Sequence, residues 1–132
     1  MPESERVALL REAYAAFNRG AVDEFLHLLD ENVEWRPPST SLEPEPRQGR
    51  DAVRAYLAPD MFEEQTAEPL EVVEEGNRIL VAARVRARGR GSGIELDQTS
   101  FHVWTIAGER AVRFEVYLDR AEALAAFRSC TP

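Results

Sequence analysis

Apolar side chains recur at helical spacing over the first part of the chain and at every second position over the last half. Val7, Leu10, Tyr14 and Phe17 form a stripe that predicts a helix over 4–19. Arg6, Arg11, Glu12 and Arg19 lie largely off it, and Gly20 supplies a stop. A shorter helix is predicted over 22–29, with Val22, Phe25, Leu26 and Leu29 as its apolar side, and a short strand over 32–35. Pro37, Pro38, Pro44 and Pro46 exclude regular helix or central strand, so residues 37–48 read as a loop. Gly49 opens a third helix over 50–57, with Val53, Tyr56 and Leu57 on one side.

After Pro69 the period becomes two. Strands are predicted over 70–75, 78–88, 94–106 and 111–118. Turns fall at Gly76–Asn77, Gly89–Gly93 and Ala107–Glu109. Asp119 is a good N-cap for a last helix through Ala123, Leu124 and Phe127. Helices, then an antiparallel meander, then a short helix predict an α+β fold with the helices packed on one face of a curved sheet.

The 132 residues suit one domain, 1–132, with no linker or internal repeat. The formal charge of −8 argues against nucleic acid and against anionic membranes as partners. Every basic residue is Arg, so Schiff-base chemistry and a P-loop lysine are excluded. Cys130 stands alone, so a Cys-based zinc cluster is excluded, and with His27 and His102 as the only histidines a His-rich metal site is not expected; composition leaves carboxylate-only Mg²⁺ or Ca²⁺ sites open, and no metal-ligating residue is assigned. Charges interrupt the N-terminal apolar residues and no run is long enough to span a membrane, so a cytoplasmic location is expected.

The strand over 94–106 carries the chemistry. Its even positions place Gln98, Ser100 and His102 among Ile94, Leu96, Trp104 and Ile106. An apolar wall with a few inward polar groups describes a ligand cavity, although buried polar groups also need partners in any core. In the last strand Phe114, Val116 and Leu118 share one face, and Arg113, Glu115 and Tyr117 the other. Val81, Ala83, Val85 and Ala87 alternate with Arg84, Arg86 and Arg88. The apolar sets are assigned to the helices. On the opposite face Arg84 or Arg86 is expected to meet Glu115. That face, with Thr99, Phe101, Val103, Arg113 and Tyr117, suits a two-fold interface, so a homodimer is expected.

The runs LREAYAAFNRGAVDEFLHLLDENVEWRPP and QGRDAVRAYL, and the meander ending HVWTIAGERAVRFEVYLDRAEAL, resemble the SnoaL-like family. This family sits within the ketosteroid-isomerase-like, nuclear-transport-factor-2-like superfamily. The resemblance spans nearly the whole chain. It implies a cystatin-like cone whose concave face is covered by helices around a cavity, usually in a homodimer. It also implies cofactor-free proton transfer next to a carbonyl, as in isomerases and polyketide cyclases. Ketosteroid isomerase uses an Asp base, an oxyanion-hole Tyr and a protonated Asp. The matching slots here hold Trp35 or Arg36, Ala13 beside Tyr14, and His102, so that triad is not present as such. Glu34 and Glu115 are the nearest acids, and alternation turns both away.

His102 is a candidate general base or acid, or else a buried histidine satisfied by Ser100, Tyr14 or backbone. Tyr14 is a candidate donor to a ligand carbonyl, or a core tyrosine bound to His102 or Gln98. Phe17, Trp35, Tyr56, Gln98, Ser100, Trp104, Phe114 and Val116 are candidate substrate-binding residues, with core packing as the alternative for the tryptophans. The Arg84–Arg90 run and the Gly89–Gly93 stretch read as a paired sheet face and a hairpin turn rather than an anion site. Three functions stay open: a proton-transfer enzyme, a non-catalytic binder of a small hydrophobic molecule, and a dimeric scaffold with a filled cavity.

Overall fold

Ser4 begins the first helix, α1 (Glu5–Asn18), by accepting a hydrogen bond from the Val7 N–H at 3.2 Å. Val7, Leu10, Ala13, Tyr14 and Ala16 are its buried positions, as the helical stripe requires. The helix ends at Gly20, whose φ of 78° lies in the left-handed region, while the Ala21 N–H reaches back to the Ala16 carbonyl at 2.9 Å. Next come α2 (Val22–His27), β1 (Leu29–Arg36), β2 (Arg47–Gln48), α3 (Arg50–Leu57), β3 (Phe62–Glu75), β4 (Arg78–Gly89), β5 (Glu95–Ala107), β6 (Arg110–Tyr117) and α4 (Arg120–Phe127). This computed structural model describes residues 4–37, 45–57, 62–89, 91 and 93–128, with the backbone alone at 56–57 and 62–64. Cys130 and the greater part of the proline-rich loop lie outside the described residues.

The sheet runs in the order β2-β1-β6-β5-β4-β3. All neighbours are antiparallel except β1 and β6, which are parallel. β1 therefore joins the meander from the side, and it starts at Leu29, three residues before the expected strand. β3 is also longer than the expected 70–75, because it runs straight through Pro69. The physical reason is its place at the sheet edge, where Pro69 sits beside a register shift and owes no ladder hydrogen bond on its outer side.

α1, α2 and α3 lie on one face of the sheet, over a core that includes Leu10, Leu26, Val33, Val53, Ile79, Val81 and Ile106. α4 departs from the expected single helical layer. Its Ala123 and Phe127 pack on Leu80 and Val103 of the opposite face. Asp119 caps it, accepting from the Glu122 N–H at 3.0 Å, and the Arg78 guanidinium donates to the Ala126 carbonyl at 2.7 Å at its other end. Val103, expected at a subunit interface, is thus buried within the chain.

The expected meeting of Arg84 or Arg86 with Glu115 does not occur, because β5 separates β4 from β6. Arg84 instead grips Asp97 with two hydrogen bonds, Nε to Oδ1 at 2.9 Å and Nη2 to Oδ2 at 2.8 Å. That guanidinium holds the Asp97 carboxyl below its ordinary value. Glu115 pairs with Arg113 at 2.8 Å, and Arg113 also reaches Glu34 at 2.9 Å. No helix among the described residues is long and apolar enough to cross a membrane.

Candidate functional site

Two devices place α1 over the sheet. At its start the Ser4 hydroxyl donates to Glu74 at 2.8 Å. At its end Asn18 uses both ends of its amide on the edge strand, donating to the Ala67 carbonyl at 2.9 Å and accepting the Ala67 N–H at 2.7 Å. Tyr14, one turn earlier, is thereby directed onto the even face of β5.

A cavity of about 190 Å³ opens between that helix and the sheet. Adjacent strands supply one wall as a cross-strand row: Trp35 of β1 is paired with Phe114 of β6, which is paired with Trp104 of β5. The ring centroids of Trp35 and Phe114 are 4.0 Å apart, and those of Trp104 and Phe114 4.4 Å. Phe17 and Phe25 of the helices close the row, with Phe25 edge-on to Trp35. Val85, Val116 and Ala67 add apolar wall, and Gln65, Gln98 and Leu118 line the more exposed end. Leu118 is 43% exposed whereas Ser100 is 2% exposed, so the cavity deepens from Leu118 and Gln98 toward Ser100 and His102.

The deep end is polar and internally bonded. The Trp104 indole N–H donates to the Tyr14 oxygen at 3.0 Å. Tyr14 and His102 share a hydrogen bond of 2.6 Å at Nδ1, and Ser100 and His102 share one of 3.0 Å at Nε2. His102 also lies edge-on to Phe114 at 4.9 Å. Burial without a charged partner pushes the imidazole pKa down to about 3, so His102 is neutral at pH 7. Burial likewise raises the Tyr14 phenol above its ordinary value, only partly opposed by the Trp104 hydrogen bond. Glu34 and Glu115 are held by Arg113, on the other side of the sheet, and no charged side chain lines the cavity among the described residues. No group of three or more His, Cys, Asp or Glu among those residues could hold a metal ion.

Nine of the ten candidates read from the sequence thus stand around one cavity: Tyr14, Phe17 and Trp35, then Gln98, Ser100, His102 and Trp104, then Phe114 and Val116. The side chain of Tyr56 lies outside the described residues. Five lining residues were not singled out. Phe25 was visible on the stripe of α2, and Val85 and Leu118 in the alternation of their strands. Gln65 and Ala67 carried no signal, since they precede Pro69 in a segment with no alternation before it.

The family model described as a SnoaL-like domain matches residues 10–114. Among solved structures, a nuclear-transport-factor-2-like protein of unknown function from Burkholderia pseudomallei is 29% identical. The match covers 96% of this chain and 100% of that one, with a TM-score of 0.78. TerC co-crystallised with polyporic acid is 21% identical over 96% of this chain and 100% of its own, with a TM-score of 0.77. A putative polyketide cyclase from Xanthomonas campestris pv. campestris is 20% identical over 95% of this chain and 97% of its own, with a TM-score of 0.76. No curated protein matches the chain.

Proposed function

The chain belongs to the SnoaL-like domain family, and from that premise we propose that it binds a small, flat, mostly apolar molecule between α1 and the sheet. The observation that carries this reading is the void of about 190 Å³ beside His102, walled by aromatic rings, with a bonded polar cluster at its deep end and two glutamines at its mouth. A well-packed core leaves few voids larger than a water molecule, so a space of this size beside bonded polar groups suits an occupant better than a scaffold filled by its own side chains. Aromatic walls bind flat molecules by dispersion and ring stacking, without needing charge. That other proteins of this fold were crystallised with small organic molecules agrees with the reading.

A second reading, cofactor-free proton transfer next to a carbonyl, is favoured by one observation: His102 is a neutral imidazole facing the cavity. Against it, both ring nitrogens are already engaged by Tyr14 and Ser100, so His102 would have to give up one of these bonds to reach a substrate proton. Both readings are tested with 1-indanone, a flat bicyclic ketone with exchangeable protons beside its carbonyl. Binding is followed by tryptophan fluorescence, since the chain has two tryptophans and both line the cavity. Saturable quenching is expected, and its absence overturns the binding reading. Deuterium exchange at the ketone's α-carbon in D₂O then separates the two. Acceleration by the wild-type protein that is lost in His102→Gln and His102→Ala supports proton transfer; binding without acceleration leaves a binder.

A further inference from the structure

Four side chains at the deep end form a hydrogen-bond chain whose direction can be worked out. An indole N–H can only donate, so the Tyr14 oxygen is an acceptor toward Trp104 at 3.0 Å. The phenol has one hydrogen of its own, and His102 Nδ1, at 2.6 Å, is the other polar partner of Tyr14 among the described residues. Tyr14 donates to Nδ1, because 2.6 Å is shorter than N–H···O bonds run and falls in the range of O–H donors, and because the reverse direction would make the phenol oxygen accept twice. An unprotonated Nδ1 in a neutral imidazole places the ring proton on Nε2. Nε2–H then donates to the Ser100 oxygen at 3.0 Å. The hydrogen left over is that of the Ser100 hydroxyl, and Ser100 lines the cavity.

We propose that the chain Trp104 to Tyr14 to His102 to Ser100 makes the deep end of the cavity a hydrogen-bond donor that selects ligands carrying a neutral acceptor, such as a ketone or ether oxygen. This rests on the cavity's being a binding site and adds which chemistry it reads. A ligand without an acceptor leaves the Ser100 hydrogen unpaired in an apolar space. A ligand presenting an ammonium group meets a donor with a donor and finds no carboxylate in the described lining. Ser100 is the residue that touches the ligand. His102 and Tyr14 are positioning residues, since they act by fixing which way the serine hydrogen is left.

Two measurements test this on the whole protein. The first uses no ligand: a long-range ¹H–¹⁵N spectrum reports which His102 nitrogen carries the proton at pH 7. A proton on Nε2 is expected, and a proton on Nδ1 overturns the proposal. In Tyr14→Phe the Nε2 preference should weaken, which a merely packed tyrosine would not cause.

The second compares three probes of one shape by fluorescence: 1-indanone, indane and protonated 1-aminoindane. The ketone is expected to bind about tenfold more tightly than indane, the worth of one buried hydrogen bond, and the ammonium probe more weakly than either. Ser100→Ala should erase the ketone's advantage, so that ketone and indane bind alike, with indane binding more tightly than to the wild type because no donor is left unpaired. Equal binding of ketone and indane overturns the acceptor selectivity and leaves the cavity reading standing. Binding of none of the three overturns the cavity reading, and the ligand class falls with it.

Discussion

The buried neutral imidazole of His102 makes stability depend on pH with a definite sign. In the folded chain its pKa lies at about 3 because burial disfavours the charged ring. In the unfolded chain it returns to the ordinary value near 6.5. Above pH 6.5 both states are neutral and the residue contributes no slope. Below it the unfolded chain takes up a proton that the folded chain does not, so stability falls by about 1.4 kcal/mol per pH unit until the folded pKa is approached. Integrated from pH 7.5 to pH 5.0, the loss is about 2 kcal/mol.

The groups facing the ring do not offset this loss. Tyr14 stays neutral throughout, and Glu34 and Glu115 are tied to Arg113 on the far side of the sheet. Urea unfolding of wild type and His102→Gln at both pH values isolates the effect. All other charged groups are common to the two proteins and cancel in the difference. The wild type should lose about 2 kcal/mol more than the variant on going to pH 5.0. Equal losses would refute the reasoning, and so would an NMR titration in which folded His102 gains its proton near pH 6.5.

Other consequences follow from particular contacts. Asn18→Ala removes two hydrogen bonds that tie α1 to Ala67 and should cost about 1–3 kcal/mol in urea unfolding. Because α1 carries Tyr14 and Phe17 into the cavity wall, the same variant should also weaken 1-indanone binding. Phe127→Ala empties the core between α4 and the opposite sheet face and should cost about 3–5 kcal/mol, with the affinity of the remaining folded protein for 1-indanone unchanged. Beside α4 the half-buried Phe101 and Tyr117 leave a mixed apolar and charged surface, for which we propose a second copy of the chain as cover. Light scattering should then give twice the 14.9 kDa chain mass, and a 14.9 kDa particle at micromolar concentration removes the dimer.

The cavity wall was legible because strands alternate strictly. Once Gln98, Ser100, His102 and Trp104 share a face, a single assignment places all four. The helical stripe did the same for Tyr14 and Phe17. What alternation does not contain is pairing across the chain. For Tyr14 both His102 and Gln98 stood as partners, and only the folded chain, which bonds Tyr14 to His102 across 88 residues, chooses between them. Nor does an apolar stripe say which side of a sheet it covers. Ala123 and Phe127 mark a face of α4 correctly, yet they pack on Leu80 and Val103 rather than joining the first three helices. The start of β3 was hidden by Pro69, a strong breaker in general but a tolerated residue on an edge strand. Arg84 was aimed at the wrong acid because strand order, and so the interposition of β5, is not written in any one strand.

The central claim is that the space under α1 is a ligand site rather than a gap in the core. The most direct measurement is a ¹H–¹⁵N spectrum of the labelled protein titrated with 1-indanone. Both indole N–H groups belong to tryptophans in the cavity wall, and the Trp104 N–H is bonded to Tyr14. Both indole signals should shift and saturate together, with Ser100 and His102 backbone amides following and the amides of α4 unmoved. Indole signals that stay in place, or shifts gathered on Ala123 to Phe127 instead, would contradict it.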